Sequence, residues 1–331
     1  MIVLDADVLG RNRTGEETYL RNLLRELPQV APDLHFGAVT RRVELLPEGI
    51  EPLTLPARSQ EVRMAWTLPR LLRHVRPQVA HFQHALPLGY RGRSVVTLHD
   101  LHFERDPRVM ARADRVTFKL VVPRSARRAG AVVAVSERTK RDAVELYGLP
   151  PDRIAVAPHG VDPAFSPGDG SRDYALFVGA VQARKDPLAA LAAASAVGLP
   201  LVVAGPEKEP ALAAELRAGG ADLRGWVDVE ELARLYRGAA AVLLPSRYEG
   251  FGLPALEAMA SGTPVVLSAD PALREVAADA GVYAEEGDLA GALRRALDER
   301  ERYVQAGLER AKRFSWRETA RRTADVYRSL L

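Results

Sequence analysis

Short apolar runs punctuate the chain, and most are followed by a turn and then by a segment whose apolar residues recur with helical spacing. Nine such runs stand out: IVLDAD at the start, then QVAHF, SVVTLHD, AVVAVS, IAVAPHG, YALFVGA, LVVAG, AVLLPS and PVVLS. Runs that are apolar on both faces suit strands buried from both sides, and strand-then-helix alternation marks parallel sheets covered by helices. The predicted class is therefore α/β, doubly wound. No self-similarity with a period of roughly 20–50 residues is present, which excludes a solenoid.

The length of 331 residues exceeds the roughly 250–300 at which a single core stops growing, so two domains are expected. The stretch HGVDPAFSPGDGSRD, residues 159–173, carries Pro163, Pro167, Gly160, Gly168 and Gly170 and reads as a connection. The predicted division is an N-terminal domain over 1–162, a linker over 163–173 and a second domain from 174.

Composition narrows the picture mainly by exclusion. With 47% hydrophobic and 27% charged residues, the chain is of the ordinary globular kind. The absence of cysteine excludes disulfides, zinc thiolates and a cysteine nucleophile, and is compatible with a reducing compartment. MIVLDADVLG enters a strand directly, without a basic region ahead of a long apolar stretch, and no window offers about 18 uninterrupted apolar residues. A cytoplasmic location is the expectation.

Charge is unevenly placed. Residues 1–162 hold 25 Lys+Arg against 19 Asp+Glu, a balance of +6, and the remainder holds 21 against 24, a balance of −3. The excess gathers in RMAWTLPRLLRHVRP (63–77) and RDPRVMARADRVTFKLVVPRSARR (105–128). These are either solvated helix faces or a surface drawn to an anionic membrane or acidic acceptor. No aromatic-interleaved basic motif appears, which argues against nucleic acid.

In doubly wound sheets ligands bind beyond the carboxyl ends of the strands, so residues there carry the chemistry. No strand is followed by G-x-G-x-x-G, and no Walker lysine motif is present, which weighs against dehydrogenases and P-loop NTPases. After YALFVG comes AVQARKDPLAAL, where Asp186 and Pro187 are suited to starting a helix. Arg184 and Lys185 then stand beside a helix N-terminus, a place that already favours an anion and, with two cations, a diphosphate. After AVLLPS comes SRYEGFGLPALEAMASGTPVV, in which Glu249 falls on the loop and Glu257 on the first turn or so of a helix ending at Gly262. Gly250 and Gly252 let backbone N–H groups approach a ligand. A carboxylate can accept two hydrogen bonds from vicinal hydroxyls, which suits one acid to a ribose and another to a hexose.

Taken together these residues resemble the retaining glycosyltransferases of family GT4, which have the GT-B fold of two Rossmann-like domains facing a central cleft. The likeness covers nearly the whole chain. It is most specific in EGFGLPALEAMASGTPVV, which carries the family's E-x7-E pattern as Glu249 and Glu257, and is supported by VGAVQARKD, LRGWVDVEELARLYRGAAAVLLPS, VSE, HGVD, TLHD and FSWRETARRTADVYRSLL. The resemblance implies a nucleotide-sugar domain over 174–312 and a last helix, within 313–331, packed on the first domain. It implies that Glu257 binds the ribose, that Arg184 and Lys185 take the diphosphate, and that Glu249 with the N–H groups around Gly250, Phe251, Gly252 and Leu253 holds the donor hexose. His99 would reach that hexose, and the Gly15 loop would border acceptor and diphosphate.

Two stretches call for separate reading. Asp5 and Asp7 in DAD imitate a D-x-D metal motif but end the first strand, where a structural role is expected. In GRNRTGEETYL a single glycine, Gly15, stands where many relatives have a pair, and Glu16 and Glu17 follow. The implied reaction transfers a hexose, from GDP-mannose or UDP-glucose by family frequency, to a hydroxyl of a glycan, lipid-linked or small-molecule acceptor. Anomeric configuration is retained, no metal or other cofactor is obligatory, and no carboxylate is assigned as a nucleophile. A sugar-nucleotide epimerase or hydrolase of the same fold, or a non-catalytic sugar-nucleotide-binding module, are the competing readings.

Overall fold

A computed structural model describes residues 1–11, 14–55, 59–105 and 112–331. The chain forms two compact units, Met1–Gly160 together with Ser315–Leu331, and Val161–Phe314. Part of the basic segment 105–128, residues 106–111, lies outside the described residues, as do 12 and 13 of the Gly15 loop.

The first unit is built on a seven-stranded parallel sheet. Its strands are β1 Ile2–Asp5, β2 Phe36–Thr40, β3 Ile50–Thr54, β4 Val79–Gln83, β5 Ser94–Leu98, β6 Ala131–Ala134 and β7 Ile154–Val156, in the order β3-β2-β1-β4-β5-β6-β7. The second holds a six-stranded parallel sheet of β8 Tyr174–Val178, β9 Leu201–Ala204, β10 Asp222–Gly225, β11 Ala239–Leu244, β12 Val265–Leu267 and β13 Gly281–Tyr283, ordered β10-β9-β8-β11-β12-β13. Both are doubly wound, with the order reversing between β1 and β4 in one unit and between β8 and β11 in the other. The central strands are buried on both faces, as in β5 and β11, where every residue is buried; this is why they are continuous apolar runs.

All nine runs read from the sequence are strands. The four not read are β2, β3, β10 and β13, and three of these are sheet edges, where one side needs no apolar cover. β10 is Asp-Leu-Arg-Gly with its outer residues exposed, and β3 carries Pro52 and exposed Glu51. β2 is fully buried, but Gly37 interrupts its apolar run.

One boundary differs from expectation. The stretch read as a linker belongs to the second unit: Phe165 packs edge-on against Tyr236 with ring centroids 5.5 Å apart, Gly170 lies so close to the Arg237 backbone that no Cβ fits, and Gly168 lies against the Arg237 side chain. Its glycines serve close packing. The final helix, Trp316–Leu330, is capped by Ser315, which accepts from Glu318 N at 3.2 Å, and lies in the first unit. There the buried Tyr327 hydroxyl meets His81 Nδ1 at 2.6 Å, while His81 Nε2 meets Thr97 Oγ1 at 2.6 Å. Burial holds His81 neutral, with a pKa near 3.

Gly205 illustrates how tightly the second sheet closes at its carboxyl end. Its φ is +149°, its N–H donates to Gly225 O at 2.7 Å, and the Gly179 carbonyl occupies the place a Cβ would take. Gly225 also has positive φ, +67°, but open space around it. Gly205→Ala is expected to destabilise by about 2–4 kcal/mol, against about 1–2 kcal/mol for Gly225→Ala. Chemical denaturation checks the pair; equal losses would mean that steric closure at Gly205 is unimportant.

Candidate active site

At the carboxyl ends of β8 and β11, the two strands flanking the order reversal, the second unit brings together Arg184, Lys185 and Glu249. β8 leads through Gly179 into a single 3₁₀ turn, Ala183–Lys185, ahead of the helix Pro187–Ala196. β11 leads through Ser246–Gly252 into the helix Leu253–Ala260. The two loops are joined by backbone, since Arg247 N donates to Arg184 O at 3.0 Å, and by side chain, since Arg184 Nη1 donates to Tyr248 O at 2.7 Å.

Glu249 is buried, and Lys185 Nζ donates to its Oε1 at 2.5 Å, with Arg184 Nη1 3.9 Å from Oε2. Burial pushes its carboxyl up, but the charges of Lys185 and Arg184 outweigh that and hold it below the ordinary carboxylate value. It is therefore ionised at neutral pH. The three residues assigned separately to hexose and diphosphate form one charged cluster with net charge +1.

Glu257 meets the same burial without a cation among the described residues. It sits on the second turn of Leu253–Ala260 rather than the first, so complementing the helix dipole does not explain it. Tyr236, fully buried on the helix Val229–Gly238, donates its hydroxyl to Glu257 Oε2 at 2.8 Å. Burial lifts the Glu257 carboxyl to about 7; the tyrosine hydrogen bond opposes the rise, and the negative charge of Asp162 adds to it.

Three other helix starts of the second unit carry side-chain caps that the two at this strand end lack. Asp228, Asp270 and Asp288 cap their helices by accepting backbone N–H groups. Gly252 offers no side chain, and Asp186, expected as a cap, has φ +52° and makes no capping bond; its carboxylate takes Arg247 instead, at 3.1 Å. Gly252 has φ +108°, and a Cβ there would press on Leu273. The Phe251 side chain is buried against Phe314, centroids 5.9 Å apart, and Leu253 is half-buried. In this stretch only backbone is left to face a ligand at Phe251.

The remaining expected site residues lie in the first unit. His99 follows β5, and its Nε2 donates to Gln83 Oε1 at 2.8 Å, at the end of β4. Its ring packs on His84, Tyr19 and His159. Burial and the positive charge of His84 hold its pKa down to about 4, with Glu16 and Asp100 opposing. His84 pairs with Glu16 at 3.2 Å, whereas Glu17 Oε1 accepts from Gly10 N at 2.8 Å and from Arg21 Nη2 at 2.9 Å. Gly15 is in the first turn of the helix Thr14–Val30, with open space where a Cβ would be. Asp5 pairs with buried Arg63, and Asp7 with Arg41 at 2.8 Å. Among the described residues no cluster of three or more potential metal ligands is found.

Sequence reasoning missed Tyr236, Gln83 and His84. Tyr236 falls on the apolar side of ELARLYRG, where periodicity alone marks it as core. Gln83 and His84 needed the strand end to be located first.

Two doubly wound sheets, with cations and carboxylates at the order reversal of the second, define a GT-B protein. Sucrose-phosphate synthase from Thermosynechococcus elongatus superposes with a TM-score of 0.80 over 99% of this chain and 98% of that one, at 19% identity. Family models then match in two blocks, Glycosyltransferase Family 4 over residues 13–165 and Glycosyl transferases group 1 over 162–314. The O-antigen chain mannosyltransferase B of Escherichia coli is 30% identical over 270 residues, 72% of this chain and 71% of that protein. A D-inositol 3-phosphate glycosyltransferase of Acidothermus cellulolyticus is 35% identical over 229 residues, 58% of this chain and about half, 51%, of that protein. The chain belongs to glycosyltransferase family 4, whose members use nucleotide-sugar donors.

The linkage between Glu257 and stability follows from its raised pKa. A carboxyl at about 7 in the fold and near 4.3 when unfolded contributes stability below the lower value and loses it as pH rises through 7. Glu257→Gln removes that loss while keeping an oxygen for Tyr236. Its stability relative to wild type should improve by about 2–3 kcal/mol between pH 5 and pH 8. The difference between the two proteins, measured by denaturation at each pH, cancels other titrations; a flat difference would mean Glu257 titrates normally.

Proposed function

We propose that the protein transfers a hexose, with retention of anomeric configuration, from GDP-mannose or UDP-glucose to a hydroxyl of a glycan, lipid-linked or small-molecule acceptor. The observation that carries this reading is the single cluster formed by Arg184, Lys185 and Glu249 beside two helix starts without side-chain caps. Departure of a nucleoside diphosphate leaves oxocarbenium character on the sugar and charge on the phosphate. Arg184, Lys185 and the backbone N–H groups of the loop after β11 take up that phosphate charge where it develops. Glu249, kept ionised by the same cations, accepts hydroxyls of the hexose, and the backbone of Gly250, Phe251, Gly252 and Leu253 lines it. Glu257 accepts the two ribose hydroxyls. His99 is assigned contact with the hexose, and Gly15, at the start of its helix, contact with acceptor and diphosphate. Mannose is supported by the Escherichia coli relative's name.

A second reading concerns place of action, at the cytoplasmic face of a membrane. Trp66 and Leu88 are 61% and 71% exposed, and Val62, Leu120 and Val121 are exposed with them. Their three segments are tied together, Leu88 N donating to Met64 O and Leu86 N to Ser125 Oγ, each at 2.9 Å. Exposed Arg70, Arg91, Arg124 and Arg128 belong to the same segments. Apolar anchors among arginines suit an anionic lipid surface. Among the described residues no helix is long and apolar enough to cross a membrane. Sedimentation with phosphatidylglycerol vesicles but not with phosphatidylcholine vesicles is expected, weakened several-fold by Trp66→Ala; equal recovery with both would refute it.

Thermal shift against a panel of nucleotide sugars tests the main reading. At about 100 times its dissociation constant the donor should stabilise by roughly 2.7 kcal/mol, and Arg184→Ala and Lys185→Ala should each slow release of its nucleoside diphosphate by about 10²–10³. A panel without any shift, or full turnover in both variants, would discard it.

A further inference from the structure

We propose that Tyr236 is a positioning residue of the nucleotide site, holding the Glu257 carboxylate in the plane and charge state that two ribose hydroxyls require. The inference rests on the reading of Glu257 as the ribose acceptor given above. A carboxylate offers roughly four lone-pair directions. Tyr236 takes one, on Oε2, which leaves one further direction there and both on Oε1. A vicinal diol uses one on each oxygen, so the carboxylate must not swing about its long side chain.

The tyrosine is itself fixed from several sides. Its carbonyl accepts from Thr263 Oγ1 at 2.6 Å, its ring meets Phe165 at an interplanar angle of 83°, and it is fully buried. A buried hydroxyl aimed at a carboxylate favours the charged form. Among the described residues no cation opposes burial at Glu257 as Lys185 does at Glu249, so this one donor carries the task.

The charged groups on the neighbouring elements are directed elsewhere. On the helix Arg300–Ala311, Arg300 is turned to the carbonyls of Ala240 and Gly262, and Arg310 to those of Glu275 and Val276. On Pro271–Ala277, Arg274 lies over the Tyr283 ring. On the tyrosine's own helix Arg234 pairs with Glu231 on the exposed face. Asp162, on the segment entering the unit, adds negative charge and pushes the carboxyl toward protonation. Among the described residues that act on Glu257, the Tyr236 hydroxyl is the side chain that favours its ionised form.

Calorimetric titration of GDP and UDP into the full chain between pH 6 and pH 9 tests the proposal. For the nucleotide that binds, wild-type affinity should rise with pH and level off above about 7, where Glu257 is ionised. Tyr236→Phe should move that midpoint up by about one pH unit and weaken binding at pH 7 by roughly fivefold, with most of the loss recovered at pH 9. Should the phenylalanine variant not fold, 3,5-difluorotyrosine at position 236 keeps the ring and sharpens the donor, and should move the midpoint down. An unmoved midpoint in either protein overturns the positioning role. Glu257→Ala separates the two levels: it should bind weakly and without this pH dependence, and binding as tight as wild type would overturn the ribose reading itself.

Discussion

Two carboxylates eight positions apart, both buried at one strand end, impose the constraint around which the second unit is arranged. A buried charge must be paired or hydrogen-bonded, or it will be neutralised by a proton. Glu249 is paired, by Lys185 at 2.5 Å with Arg184 beyond, and stays ionised. Among the described residues Glu257 has the tyrosine hydroxyl alone as a donor and is held near the point of protonation. The same burial therefore yields a firmly anionic group and a titrating one. The short β11 loop, the positive φ of Gly252 and the buried Phe251 side chain keep backbone N–H groups between them.

The pairing at Glu249 has a further consequence for a phosphate ligand. In this state Lys185 is partly neutralised by the carboxylate, and a diphosphate arriving beside it would share the cation. Lys185 therefore has a carboxylate partner whether or not a phosphate is beside it. The first unit handles its strand-end charges in a related way. Asp5 and Asp7 are tied to Arg63 and Arg41, and the histidines at the ends of β4 and β5 are sorted by their neighbours: His84 is kept basic by Glu16, while His99 is kept neutral.

Much of this was legible in the residues because burial on both faces forces apolar continuity, and eight central strands and the edge strand β7 announced themselves as apolar runs. Edge strands such as β10, with Asp222 and Arg224 outward, carry no such mark. Arg184, Lys185, Glu249 and Glu257 could be assigned to strand ends from turn residues alone, and their roles came from the family pattern. The direction of each acid's charge could not be read, since it depends on a lysine 64 positions away and a tyrosine 21 positions away. Asp186 looked like a helix cap because its type and its following proline fit one; a positive φ and Arg247 claim it instead. The glycines and prolines of 163–173 suggested freedom, whereas Phe165 and the close approach to Arg237 make them packing residues.

The central claim is that one strand end drives two glutamates to opposite charge behaviour. Side-chain carboxyl carbon resonances of selectively labelled glutamate, assigned with Glu249→Gln and Glu257→Gln, measure it directly across pH 3 to 9. The account predicts that Glu257 titrates near 7 and Glu249 below the ordinary carboxylate range. Two midpoints together near the usual value of about 4.3 would contradict it.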